Sequence, residues 1–291
     1  MIILDRPAFS QDDVLKACIA GIGDPDTQSR CGEASDLLAE HEAKYAEMAM
    51  ASQLYLAPIH ARGGDELTVL LRATRGDLKG LYSNQMTRSG KAARKYYDKI
   101  KMSADQGICP YCGIGTVETL DHFLPKGRYS VYSILPFNLV PACRDCNTEK
   151  KAEVFGENEV PSHPYFEDAR VASEAWLRAE VIEGEQPYAR FLFNAPIGWP
   201  DELADRVRNH MEAFGLARRY SIQAASRYSY YAGMIDRLVS GGVAANVRPL
   251  IEMCAESETD AHGINSWQSA LARAISSSEF FLQTGYRHFI R

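Results

Sequence analysis

The chain has no long hydrophobic run, no low-complexity tract and no internal repeat. The first absence argues against a helical membrane span, which takes about eighteen or more consecutive apolar residues. The others leave an ordinary globular composition, 46% hydrophobic and 24% charged over 291 residues, enough for one or two domains. The opening "MIILDRPAFS" meets Asp5 and Arg6 too early for a signal peptide, so a cytoplasmic protein without a membrane partner is expected. Positive charge is also short: the net charge of −6 excludes a surface uniformly basic enough to coat nucleic acid.

That average hides a segregation. Residues 1–71 carry twelve acids against five bases, whereas residues 72–101 carry nine bases against Asp77 and Asp98. Within "SGKAARKYYDKIKM", Lys91, Arg94, Lys95, Lys99 and Lys101 fall on one arc of roughly 160° on a helical wheel, with Ala93, Tyr96, Tyr97 and Ile100 opposite. Such a face is either simply solvated or a sequence-independent grip on phosphate. Its place just before the cysteine-bearing segment favours the grip.

Helical signals dominate elsewhere. Ser10 caps "QDDVLKACIAG", and the spacing predicts a second helix over about 28–54. His41 lies on the apolar stripe of that helix and reads as a packed core histidine. After the break at Gly63-Gly64, "DELTVLLRATRGDLKGLYSNQM" resumes a helical pattern. "AWLRAEVIEG" and "YARFLFNAP" predict a hairpin, and Pro200-Asp201 opens a helix closed by Gly215. A longer helix ends at Gly241-Gly242, and two more finish the chain, the last over about 266–282. Tyr220, Tyr228, Tyr230 and Tyr231 suggest a base-stacking platform at first sight, but their helical spacing favours packing.

The seven cysteines are unevenly placed. Cys18, Cys31 and Cys254 stand alone and read as small buried apolar groups. Cys109-x2-Cys112 and Cys143-x2-Cys146 form two identical pairs, which in a reducing compartment suit one tetrahedral Zn2+ with no open position for substrate. Between them lies "TLDHFLPKG", followed by "PFNLVPACRDCNTEKK". Asp121 and His122 pair a carboxylate with an imidazole that titrates near neutrality, and on a strand they point to opposite faces.

In order, the CxxC, the Asp-His followed by Pro, an Asn, the second CxxC and an Asn with Lys beyond it resemble the HNH, or ββα-metal, endonucleases in their zinc-stapled form. The resemblance covers about residues 108–151. It implies a hairpin and helix clasping one divalent cation, Mg2+ or Mn2+, held by Asp121 and Asn147. His122 would then be the base that activates water, and Asn138 the residue that fixes its loop. Asn147 stands where the family's name has its last histidine, and amide and carboxylate oxygens favour a hard cation. Lys126, Arg128, Lys150 and Lys151 would contact the nucleic-acid backbone. His163, in "PSHPYFED", is a third metal ligand, a phosphate contact, or a histidine of a proline-bounded surface loop.

The expected architecture is therefore mainly α with a small α+β core. A helical region over 1–102 precedes a nuclease core over 103–168 and a mainly helical region over 169–291. The layout is similar to HNH proteins of bacterial anti-phage defence, the PtuB-like group, which implies DNA as substrate and an ABC-type ATPase as partner. One such site severs one strand, so cutting a duplex takes a homodimer or a second event, and nicking takes neither. An RNA-cleaving enzyme with the same core and a non-enzymatic zinc-binding adaptor are the rival readings.

Overall fold

The computed structural model describes residues 1–60, 63–150 and 155–290. The chain is mainly α with a small α+β part, and it divides into two compact units, Ile2–Glu167 and, with Met1, Asp168–Arg291. Among the described residues no helix is long and apolar enough to cross a membrane.

The first unit opens with α1 (Gln11–Ile19), where Ser10 and Asp13 form the reciprocal capping box that satisfies two orphan donors. The single helix expected over 28–54 is two, α2 (Pro25–Glu33) and α3 (Ser35–Met50), parted at Ala34. Asp24 and Pro25 supply the cap and first turn that start α2 early. The helical pattern expected after Gly64 begins instead as a small hairpin, β1 (Thr68–Leu70) and β2 (Ala73–Thr74), turning at Leu71 with φ of 50°. Thr74 then caps α4 (Arg75–Gly80), which runs into a π-helical turn over Leu81–Met86. The bidentate pair of Arg30 with Asp77 ties α2 to α4, at 2.9 and 3.0 Å.

The basic segment forms α5 (Arg94–Met102), burying Ala93 at its cap with Tyr97 and Ile100. It packs on the antiparallel ribbon of β3 (Thr119–His122) and β4 (Leu139–Ala142), in register Asp121↔Val140 and His122↔Leu139. The short α6 (Arg144–Glu149) follows β4 and packs against β3. Two strands and one helix thus surround the Asp-His dipeptide.

In the second unit α7 (Arg170–Ser173) leads into the expected hairpin, β5 (Leu177–Ile182) with β6 (Tyr188–Phe193). It buries Leu177, Ala179, Ala189 and Phe191 and turns Arg178 and Arg190 outward, the alternation of a half-buried sheet. Helices α8 (Asp201–Ala213), α9 (Leu216–Ser240), α10 (Val247–His262), α11 (Trp267–Ser277) and α12 (Glu279–Gln283) complete the unit. Gly215 joins α8 to α9 in the left-handed conformation, φ 56°, that most side chains resist. Tyr220, Tyr228 and Tyr231 are buried, so packing accounts for them, while Tyr230 is exposed. Cys18 and Cys31 are buried and Cys254 half-buried.

Candidate metal centre and the Asp-His ribbon

The sulfurs of Cys109, Cys112, Cys143 and Cys146 are buried and lie within 4.8 Å of one another. Cys112 Sγ and Cys143 Sγ are 3.8 Å apart, too far for a disulfide at ~2.0 Å. A tetrahedral zinc with bonds of ~2.3 Å sets its sulfurs ~3.8 Å apart, so the spacing fits that ion. The first knuckle is shaped by hydrogen bonds from Gly113 N to Cys109 O and from Cys109 N to Gly115 O, both 2.8 Å. Gly113 needs its positive φ of 63°, and a Cβ on Gly115 would come within 2.7 Å of Cys143 Cβ. Gly115 N also donates to Cys112 Sγ at 3.4 Å, a contact that favours a thiolate. Hydrogen bonding from Cys109 lowers the pKa of Cys143 and holds it toward the thiolate. Four such buried cysteines could hold a structural metal such as zinc.

Both arms of this staple reach Asp121. Tyr111, buried between the first two cysteines, donates its hydroxyl to Asp121 Oδ2 at 2.9 Å. Lys150, just past Cys146, pairs with the same oxygen and donates to the His122 carbonyl at 2.6 Å. Asp121 is 6% exposed and Lys150 7%, so this is a buried ion pair. The sequence places Lys150 one turn beyond Asn147, toward nucleic acid; the structure turns it inward. The helix stops at Glu149, and Lys150 takes φ −65°, ψ 100°, which swings its side chain off the helical face.

His122 occupies different surroundings, as the period of the strand requires. Its Nε2 donates to Ser133 O at 2.8 Å, leaving the lone pair on Nδ1, which accepts no hydrogen bond among the described residues. Burial, then the charge of Lys126, lowers its pKa to about 3, so the imidazole is neutral at pH 7. Its ring stands edge-on to Tyr82 at 4.4 Å, and Lys126 Nζ lies 4.5 Å from the centre of that same ring.

Asn138 is fully buried and holds the loop after β3 at both ends of its amide. Oδ1 accepts from Leu124 N at 2.7 Å, and Nδ2 donates to Leu124 O and Tyr132 O at 3.0 and 3.1 Å. Tyr45 extends this network, donating to Asn138 Oδ1 and accepting from His163 Nε2, each at 3.1 Å. His163 Nδ1 accepts from Tyr165 N at 3.2 Å, so both ring nitrogens are engaged. The ring is buried, not on a surface loop, and burial lowers its pKa to about 3.

Asn147 is exposed on α6, and its amide makes no hydrogen bond among the described residues. No hydrogen bond is made to Asp121 Oδ1 among them either. Carboxylate and amide oxygens are donor types that suit Mg2+ or Mn2+. Asp121, however, is buried and ion-paired while Asn147 is exposed, and among the described residues the metal-capable cluster is the four cysteines. Of the basic residues, Lys95 and Lys99 are exposed, whereas Lys91 donates to Gly21 O at 2.6 Å and Arg94 to Asp98 and to Thr87 O. Arg128 is half-buried, and Lys151 lies outside the described residues. Tyr111, Tyr45 and Ser133 escape a reading of motifs, whereas Lys150 is picked out by it in a different role. Of those three only Tyr111, set between two ligand cysteines, carried a signal.

The fold and site thus define a mainly helical protein with a buried four-cysteine centre clamping a short strand pair. No protein-family model matches the chain, and no solved structure matches it. The chain is 28% identical over 300 residues to "Protein ea31" of Escherichia phage lambda, across 96% of this chain and 98% of the relative.

Proposed function

We propose that the protein is an HNH-type endonuclease that hydrolyses phosphodiester bonds of DNA at the Asp121–His122 ribbon. The observation that carries this reading is the preset imidazole. His122 Nε2 is spent on Ser133 O, which leaves the Nδ1 lone pair to take a proton from water. Burial holds the imidazole's basicity below the near-neutral value its residue type leads one to expect, and the negative charge of a bound phosphate would raise it again. Tyr82 and Ser133 hold the ring, so little reorientation is needed as the proton moves. Lys126, whose Nζ lies 4.5 Å from the centre of the Tyr82 ring and whose charge acts on the imidazole, would bring positive charge toward a phosphate beside it. A divalent Mg2+ or Mn2+ on Asp121 Oδ1 and the Asn147 amide would supply Lewis-acid neutralisation of the phosphate and the departing 3′ oxygen. Lys95 and Lys99 would add a salt-sensitive grip on the backbone. A bacterial defence setting with an ATPase partner rests on the layout of the sequence alone; the 28%-identical relative is encoded by a phage.

The ion pair of Asp121 with Lys150 favours a second reading. A carboxylate already neutralised inside the fold also suits a zinc-stapled adaptor without catalysis. Incubating supercoiled plasmid with Mg2+ or Mn2+ and either wild type or His122→Ala separates the two. Nicking or linearisation by wild type, lost in the variant, is expected; equal conversion by both removes His122 as base. Single-stranded RNA in a parallel tube decides the substrate.

A further inference from the structure

The loop between β3 and β4 contains a second group of polar side chains that the proposed chemistry does not use. Tyr129 and Tyr132 are 0% exposed, yet neither hydroxyl has a hydrogen-bond partner among the described residues. The same holds for Arg128 Nε, His41 Nδ1 and His60 Nε2. Buried donors are rarely left in this state, and a concentration of them signals a missing ordered ligand or water.

These groups are neighbours. The rings of His41 and Tyr132 meet edge-on at 5.9 Å, and those of Tyr132 and Tyr129 stack at 6.4 Å. His60 N donates to Arg128 O at 3.0 Å, and Arg75 and His41 both act on the His60 imidazole. Arg128 in turn acts on the Tyr129 phenol. Arg75, whose Nη1 donates to Gly63 O, is buried with Tyr129 and Tyr132, while His41, His60 and Arg128 are half-buried. The charges bearing on the group are Arg75, Arg128 and Lys44 against Glu40, which lies beside His41 on α3.

Two phenols and a guanidinium are donors here, and each neutral imidazole presents an N–H in one tautomer. Ordered waters would satisfy the phenols but would not answer the excess of positive charge that Arg75, Arg128 and Lys44 bring against Glu40. An acceptor-only anion with several oxygens satisfies both demands. We propose that Arg75, Arg128, Tyr129 and Tyr132, with the half-buried His41 and His60, form an oxyanion site that takes a phosphate group. The site does not require the nuclease reading. The two touch at Ser133, whose carbonyl orients His122 and which closes the same loop. The phosphate is either free or a terminal monoester, or a phosphodiester of a nucleic-acid backbone.

Isothermal titration of the zinc-loaded full chain tests this, with three ligands: inorganic phosphate, a short 5′-phosphorylated oligonucleotide, and the same oligonucleotide without the terminal phosphate. Saturable binding is expected for wild type, weakened at least ~10-fold in Tyr129→Phe/Tyr132→Phe, which keeps both rings, and in Arg128→Gln. Binding of the first two ligands alone identifies a free or terminal phosphate; binding of the unphosphorylated oligonucleotide, displaced by phosphate, identifies the backbone. The proposal is overturned if no ligand saturates wild type up to ~10 mM, or if both variants, melting as wild type does, bind as tightly. A buried-water cluster only would give that result.

Discussion

Replacing Lys150 by methionine keeps the length of the stem and removes the ammonium. What remains is the Asp121 carboxylate, 6% exposed, with the Tyr111 hydroxyl at 2.9 Å as its one hydrogen bond among the described residues. Stranding one member of a buried ion pair costs about 3–5 kcal/mol. At roughly 2–4 °C per kcal/mol for a unit of this size, the melting temperature of the Ile2–Glu167 unit should fall by about 6–20 °C. Calorimetry of the zinc-loaded full chain measures this. Asp121→Asn/Lys150→Met, which removes both charges, should recover much of the loss, and the non-additivity is the coupling of the pair. Manganese adds a second arm. If Asp121 and Asn147 can take a cation, Mn2+ at about 100 times its Kd should restore about 2.7 kcal/mol to Lys150→Met. A single variant melting within ~2 °C of wild type would refute the reasoning, because the ammonium would then not be compensating a buried carboxylate.

Other outcomes follow from the same geometry. Cys112→Ser should abolish stoichiometric zinc, measured by elemental analysis, and unfold the first unit, since structural zinc contributes about 10–16 kcal/mol to folding. Full zinc content with an unchanged melt would contradict the staple. His122 and His163 are held neutral, with pKa values lowered to about 3, so acid protonates them in the unfolded chain first. Stability should be full above pH ~6.5 and fall by about 1.4 kcal/mol per pH unit for each histidine as pH drops toward 3; His163→Gln should flatten the slope of pH-dependent melts. Asn138→Ala removes the bonds to Leu124 and Tyr132 and should destabilise the unit by roughly 2–4 kcal/mol. Hydrogen exchange at the Leu124 amide should accelerate, and an unchanged rate would deny the clamp.

Parts of this fold were legible residue by residue. The cap at Ser10, the Pro200-Asp201 start, the left-handed Gly215 and the alternation in the second-unit hairpin are local effects of backbone geometry, and each element formed where its signal lay. The misread segments had weak local signals. Strands of three and two residues, β1 and β2, are too short to show a period against the helix that follows them. The join of α2 and α3 at Ala34 is marked only by Gly32 in the last turn of α2, and a lone glycine is also tolerated inside one continuous helix.

The candidate site divides along the same line. Two CxxC pairs at equal spacing state their purpose in one dimension, because ligand geometry is set by short knuckles, and the structure brings their sulfurs together. The adjacency of Asp121 and His122, and their opposite orientations, also follow from the sequence, since a strand has a period of two. Tertiary packing alone decided what each side chain meets. It turned Lys150 inward onto Asp121, drew His163 into a network with Tyr45 and Asn138, and left polar groups unmatched around Tyr129 and Tyr132. The physical reason is that burial and charge compensation depend on residues dozens of positions apart, which no spacing along one chain encodes.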